Sequence, residues 1–271
     1  MMQRRAFLTA AGAAALPIAG TTAQQPAKPE SAQRQWLELR TYRVASPEKA
    51  KVLDTFLRDT AIPAYNRAGI SAVGAFRSAT DVPRKGRPLP LKEHDVMLLL
   101  PHASAESVAQ LASTLAADDA YMRDGQAIHA APTKDPVYRR VESWLMLAFD
   151  AVPTIEIPTK SSDRVFQLRV YESHNERAAA RKREMFNDAG EIAVFRECGM
   201  NPVFFGQALA GVKLPNLIYM LGFDNMATQA AAWGKFGPHP TWKKLRSDPR
   251  FKGTVSNISN TFLRPTAYSQ I

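Results

Sequence analysis

Two stretches of the chain carry residues that could do chemistry. They are WLELRTYRV, residues 36–44, and VFQLRVYES, residues 165–173. Each alternates apolar and polar residues around Leu-Arg-x-Tyr, the period of a strand. Glu38, Arg40 and Tyr42 share one face of the first strand, and Leu37 and Leu39 share the other. In the second, Gln167, Arg169 and Tyr171 oppose Phe166, Leu168 and Val170. A guanidinium presents a planar fork of donors suited to a carboxylate or phosphate, and a tyrosine can donate or stack. A buried arginine is costly unless paired. Glu38 can pair Arg40 two residues along the same face; Gln167 cannot neutralise Arg169. The second strand is therefore the better seat for an anion.

The remaining reactive groups are scattered. Glu191 in GEIAVF is either an acid or base beside a pocket or an exposed helix carboxylate, and the second is the expectation. His174 follows the second strand and His239 sits in GPHPTW; these two would be the axial candidates if haem were bound. No pair among the five histidines has metal-ligand spacing, so neither a metal site nor a cofactor is expected, haem standing as the alternative. Cys198 is the only cysteine and reads as a small buried hydrophobe, which excludes an intrachain disulfide. The chain contains no Walker loop, GxGxxG or GxSxG.

The elements that must hold these residues are written twice. Ser46-Pro47-Glu48 starts a helix that Gly69 ends, and ISAVGAF, residues 70–76, reads as a strand. A loop rich in Pro, Gly and charge precedes a third strand at Asp95–Leu100; a helix capped by Ser104 and a strand over residues 137–149 complete the first copy. The second copy has a helix from about Glu176 to Gly199 carrying Met185, Ile192 and Phe195. Strands at Pro202–Leu209 and Leu217–Phe223 follow, then a helix capped by Asp224 and a last strand at Val255–Leu263. Trp233, Phe236 and Trp242 are expected to cover apolar sheet surface. The offset between copies is about 130 residues, matching Gly69 with Gly199 and Val73 with Val203; Met97 is paired with Met220.

Each copy is thus β-α-β-β-α-β, the ferredoxin-like order, with one bare sheet face. The expected fold is α+β: two tandem ferredoxin-like repeats pairing sheet to sheet into an α+β barrel closed within one chain. The apolar residues of the LRxY strands are expected to meet the helices. The polar set, Glu38, Arg40, Tyr42, Gln167, Arg169 and Tyr171, is then expected to face a shared barrel interior.

LELRTYRV, GEIAVFRECGMNPVFFG, LPNLIYMLGFDN, WKKLRSDPRF and VSNISNTFLRPTAYSQI together resemble the bacterial NIPSNAP-domain proteins. The resemblance covers nearly all of residues 165–271, and the first copy through Phe76. It implies the dimeric α+β barrel superfamily, whose members include cofactor-independent monooxygenases, haem-degrading enzymes and haem peroxidases. It implies no single activity.

The N-terminus is expected to stand outside the fold. Arg4-Arg5, Phe7-Leu8 and an alanine-rich stretch before Thr21-Thr22-Ala23 resemble a twin-arginine export signal over residues 1–23, implying a periplasmic or secreted protein. Residues 24–34 read as a flexible lead-in, 35–150 as the first repeat, 151–163 as a linker and 164–271 as the second repeat. The formal charge is +10, but the basic residues are dispersed. The densest run, Arg181–Glu184, reads as a solvated helix face. A groove-reading element is lacking, which argues against nucleic acid, and no stretch suits a transmembrane span. A small molecule is the expected partner, and the outer edges leave room for a homodimer. The expected function is the binding of a small polar or anionic molecule inside the barrel. The alternatives are a monooxygenase-like enzyme, cofactor-independent or haem-dependent, and a non-catalytic assembly module with a solid barrel.

Overall fold

A computed structural model describes residues 33–82 and 86–271. The export signal at residues 1–23, most of the lead-in at 24–34 and residues 83–85 of the first long loop lie outside the described residues. Strand β1, Trp36–Arg43, leads into α1, Pro47–Phe56, which continues through a π-turn at Leu57–Ala61 into α2, Ile62–Arg67. Then come β2 (Gly74–Ser78), β3 (Val96–His102), α3 (Ala105–Ala116), α4 (Asp119–Asp124), α5 (Gln126–His129) and β4 (Arg140–Ala148). The second repeat runs β5 (Val165–Glu172), α6 (Glu176–Asn187), α7 (Glu191–Glu197), β6 (Asn201–Ala210), β7 (Asn216–Phe223), α8 (Met226–Phe236), α9 (Pro240–Ser247) and β8 (Asn257–Pro265).

Side-chain caps start the four main helices at equivalent places. Ser46 and Asn175 accept from the backbone N–H three residues on, as do Ser104 and Asn225. Asn225, rather than the expected Asp224, caps α8; Asp224 instead accepts a short hydrogen bond from Thr159 Oγ1. The helix expected from Glu176 to Gly199 is broken into α6 and α7 by Gly190, whose φ of 93° is left-handed.

The eight strands close into an antiparallel barrel in the order β1-β3-β2-β8-β5-β7-β6-β4. Each half contributes the ferredoxin-like order, β4-β1-β3-β2 and β8-β5-β7-β6, and the halves join along β2–β8 and β4–β6. The expected intramolecular α+β barrel is the observed fold. Registers also align the copies. Arg40 lies between Leu98 and Ser143, and Arg169 between Tyr219 and Asn260. Leu39 pairs with Leu99 and Leu168 with Met220, so Leu99, not Met97, is the counterpart of Met220.

The two faces of the LRxY strands are the reverse of those expected. Leu37, Leu39, Phe166, Leu168 and Val170 point into the barrel, packed with Met97, Leu99, Phe204, Ile218 and Met220, all essentially inaccessible to solvent. Tyr42 joins the core under the first repeat's helices, and Tyr171 the core under the second's. An eight-stranded barrel is only wide enough for side chains to fill it, so the driest space takes the apolar set. Each fully buried aliphatic or phenylalanine side chain contributes about 1.5–3 kcal/mol there. The helix-facing layer has a rim near water, where guanidinium and phenol tips can be satisfied.

Chain segments outside the strands tie the halves together. Gln35 hydrogen-bonds Pro153 and Ile155 of the inter-repeat segment. The first long loop reaches β8, where the Asn260 N–H donates to Arg87 O and the Leu89 N–H to Thr261 Oγ1. The C-terminal residues lie along β2, with the Gln270 N–H donating to Val73 O and the Tyr268 hydroxyl to Asp54.

Candidate functional site

In the first repeat, the polar face of β1 is closed on itself. Arg40 donates from Nε to Glu38 Oε1 at 2.9 Å and from Nη2 to Oε2 at 2.8 Å, a two-pronged pair. Its Nη1 donates to the Tyr65 hydroxyl at 3.2 Å, and Ser143 donates to Glu38 at 2.7 Å. His102 Nε2 lies 3.6 Å from the same carboxylate. Burial alone would raise the Glu38 carboxyl, but His102, Arg40 and Ser143 outweigh it and hold it at about 2. Tyr42 and Tyr138 meet edge to face at 5.1 Å and, with Tyr121, complete the layer.

The second repeat keeps the arginine and loses its paired carboxylate, while the Tyr219 phenol still meets the guanidinium. Gln167 replaces the carboxylate. Its amide donates to Asn260 at 2.8 Å, and its carbonyl accepts from Trp233 Nε1 at 2.8 Å and from Gln229 at 3.2 Å. Counting back from the matched glycines Gly69 and Gly199, Tyr65 corresponds to Phe195, which has no hydroxyl. Arg169 Nε is consequently buried with no hydrogen-bond partner among the described residues. Its guanidinium stacks instead, 4.8 Å from the ring centre of Trp233 and 5.1 Å from that of Tyr171. The Tyr219 hydroxyl donates to Tyr171 at 3.1 Å beneath it.

A cavity of about 460 Å³ opens above this arginine. β5 provides Arg169 and Tyr171; α6 adds Lys182, α7 adds Glu191, and Trp233 and Trp242 come from α8 and α9. Lys182 Nζ donates to Glu191 Oε2 at 2.7 Å, with side chains 5% and 2% exposed. The break at Gly190 is what swings Glu191 across to Lys182. Burial pushes the Glu191 carboxyl up and the Lys182 ammonium down; their mutual attraction opposes both shifts. Arg246 also lines the cavity. The inner layer therefore sets two cations, Arg169 and Lys182, against one carboxylate. The wall is aromatic, with Phe195 and Phe236 at 4.9 Å and Phe236 and Trp242 at 4.5 Å between ring centres.

The expected site residues thus separate into groups. Arg169, Tyr171 and Glu191 meet at one cavity, and Gln167 stands behind it as the anchor of Trp233. Glu38, Arg40 and Tyr42 form the closed cluster of the other repeat. None of these six strand residues lines the barrel interior, which is a correction to the expected location. Glu191 is buried rather than exposed, and Lys182, read as part of a solvated run, is 4% exposed. Trp233, Phe236 and Trp242 cover sheet surface as expected but also form the cavity wall. His174 is exposed at the start of α6, and His239 pairs with Glu197 at 3.1 Å; neither lines the cavity. These residues do not fit an axial pair for haem. Among the described residues there is no group of His, Cys, Asp and Glu that could hold a metal ion, and no helix long and apolar enough to cross a membrane.

Comparisons with known proteins find a family model and several solved structures similar to this chain. The NIPSNAP family model matches residues 166–270, the repeat that contains the cavity. A candidate monooxygenase from Fusobacterium nucleatum is similar in structure, with a TM-score of 0.52 and 8% identity over 86% of this chain and 93% of its own. A NIPSNAP-like domain protein from Burkholderia xenovorans gives a TM-score of 0.36 and 17% identity, covering 40% of this chain and 89% of its own. A NIPSNAP family protein from Agrobacterium tumefaciens gives 0.35 and 21%, covering 39% and 96%. No curated protein matches the chain.

Proposed function

We propose that the protein binds a small organic anion in the cavity between the sheet and the helices of its second repeat. The observation that carries this is the excess of positive charge in a mostly buried layer: Arg169 lines an aromatic-walled space and its Nε is buried without a partner. A buried guanidinium without its carboxylate is costly, and an incoming anion removes that cost. The cavity is of the size that encloses a small ligand, and its mixture of aromatic wall and few polar groups suits an amphipathic molecule. The barrel interior has no role in this reading because side chains fill it.

A monooxygenase-type activity rests on the names of neighbours whose likeness extends to the fold. The cavity would give it Glu191, Lys182 and Tyr171 as acid–base groups and no histidine. We place the binding activity outside the cytoplasm on the strength of Arg4-Arg5 and the apolar stretch after them, a reading carried by sequence alone.

A thermal-shift panel of small aromatic carboxylates, sulfonates and phosphates tests the proposal. A ligand at a hundred times its Kd stabilises by about 2.7 kcal/mol. The wild type is expected to shift with at least one anion class, and Arg169→Ala to lose that shift while remaining folded. An equal shift in Arg169→Ala, or none in the wild type across the panel, would overturn an arginine-centred site.

A further inference from the structure

We infer that the ligand's anionic group is a carboxylate, seated two-pronged on Arg169 as Glu38 is seated on Arg40. This rests on the binding reading above and specifies its chemistry. The chain contains its own template. At matched register positions, two arginines project from β1 and β5 into the layer under the helices. In the first repeat the Nε and Nη2 donors meet both oxygens of one carboxylate at 2.9 and 2.8 Å, and Nη1 meets a phenol at 3.2 Å. In the second repeat, Gln167 for Glu38 removes the carboxylate, and Phe195 for Tyr65 moves the phenol contact to Tyr219, while the arginine stays. Arg169 Nε, the donor whose counterpart bonds Glu38, is the one left buried without a partner.

The two replacements do not leave a loose side chain. Gln167 turns its amide to Asn260 and Trp233, and Trp233 stacks on the guanidinium. The donor fork is thus held in place by a neutral residue where the first repeat uses a charged one. A planar carboxylate matches two donors of that fork. The aromatic wall takes the body of the ligand, and Lys182, already shared with Glu191, adds positive potential nearby. Glu38 is accordingly an internal ligand, and Gln167 is the residue that reserves the second arginine for an external one.

Two probes of one shape, 2-naphthoate and the neutral 2-naphthamide, separate the charge from the cavity. Titration followed by tryptophan fluorescence, which Trp233 and Trp242 report, is expected to give at least tenfold tighter binding of the carboxylate to the wild type. Gln167→Glu restores the first repeat's arrangement at nearly unchanged volume. It is expected to weaken naphthoate at least tenfold, to leave naphthamide unaltered and to keep or raise the Tm. Equal affinity of the wild type for both probes, or undiminished naphthoate binding in Gln167→Glu, overturns the carboxylate assignment but leaves the cavity as a binding site. No saturable binding of either probe by the wild type at millimolar concentration overturns both.

Discussion

Glu38 and Gln167 show how much one amide can change. Both sit two residues before an arginine, on the same face of equivalent strands. The carboxylate draws Arg40 into a closed pair, whereas the amide directs Trp233 onto Arg169. The closed pair should be visible in stability. The folded-state value for Glu38, about 2, lies below the ordinary carboxyl value of 4.5. The stabilisation is therefore full above the ordinary value and lost as pH falls toward 2. The difference corresponds to about 3 kcal/mol. Glu38→Gln is expected to be less stable than the wild type at pH 7, with the gap narrowing as pH falls from 5 toward 2. Urea denaturation across that range checks it. A gap independent of pH would show that the charge of Glu38 is not what stabilises.

At the scale of elements, the alternation of the LRxY strands was legible, and so were the four strands and two helical connections of each repeat. Period two separates the faces of a strand but does not say which face is inside when both are buried. Here the barrel interior and the helix layer are both dry, and the decision came from closure, a long-range property. Lys182 was missed, and Glu191 was expected on the surface, for a related reason. Each looks like a surface helix residue until Gly190 breaks the helix and turns the second segment back on the first. The legible signal was the sequence NDAG before Glu191, a helix end followed by a new start. Gly190 has a φ of 93° and open space where a Cβ would stand, so a side chain there meets backbone strain alone. Gly190→Ala is expected to cost about 1–2 kcal/mol by chemical denaturation. It should also change anion binding, because misplacing Glu191 frees Lys182 to meet the ligand. A neutral effect on both would mean that the break does not position the pair.

For the whole molecule, closure makes the repeats interdependent. The β2–β8 and β4–β6 seams, the C-terminal residues on β2 and the Gln35 contacts with the inter-repeat segment all cross between them. Neither half can unfold without exposing the apolar interior of the other. Scanning calorimetry is expected to show one transition with calorimetric and van 't Hoff enthalpies in agreement. Two resolved transitions would show that the repeats melt as separate units.

Joining both half-barrels in one polypeptide also removes an evolutionary constraint. A barrel assembled from two identical subunits repeats every substitution twice, so a mutation that opens a cavity opens two and weakens both layers at once. A tandem chain can change one copy while the other stays intact. The self-paired arginine of the first repeat and the one with an unpartnered Nε in the second are a difference that only a tandem chain permits. The stoichiometry should therefore be one ligand per chain, without the cooperativity that two equivalent sites could support.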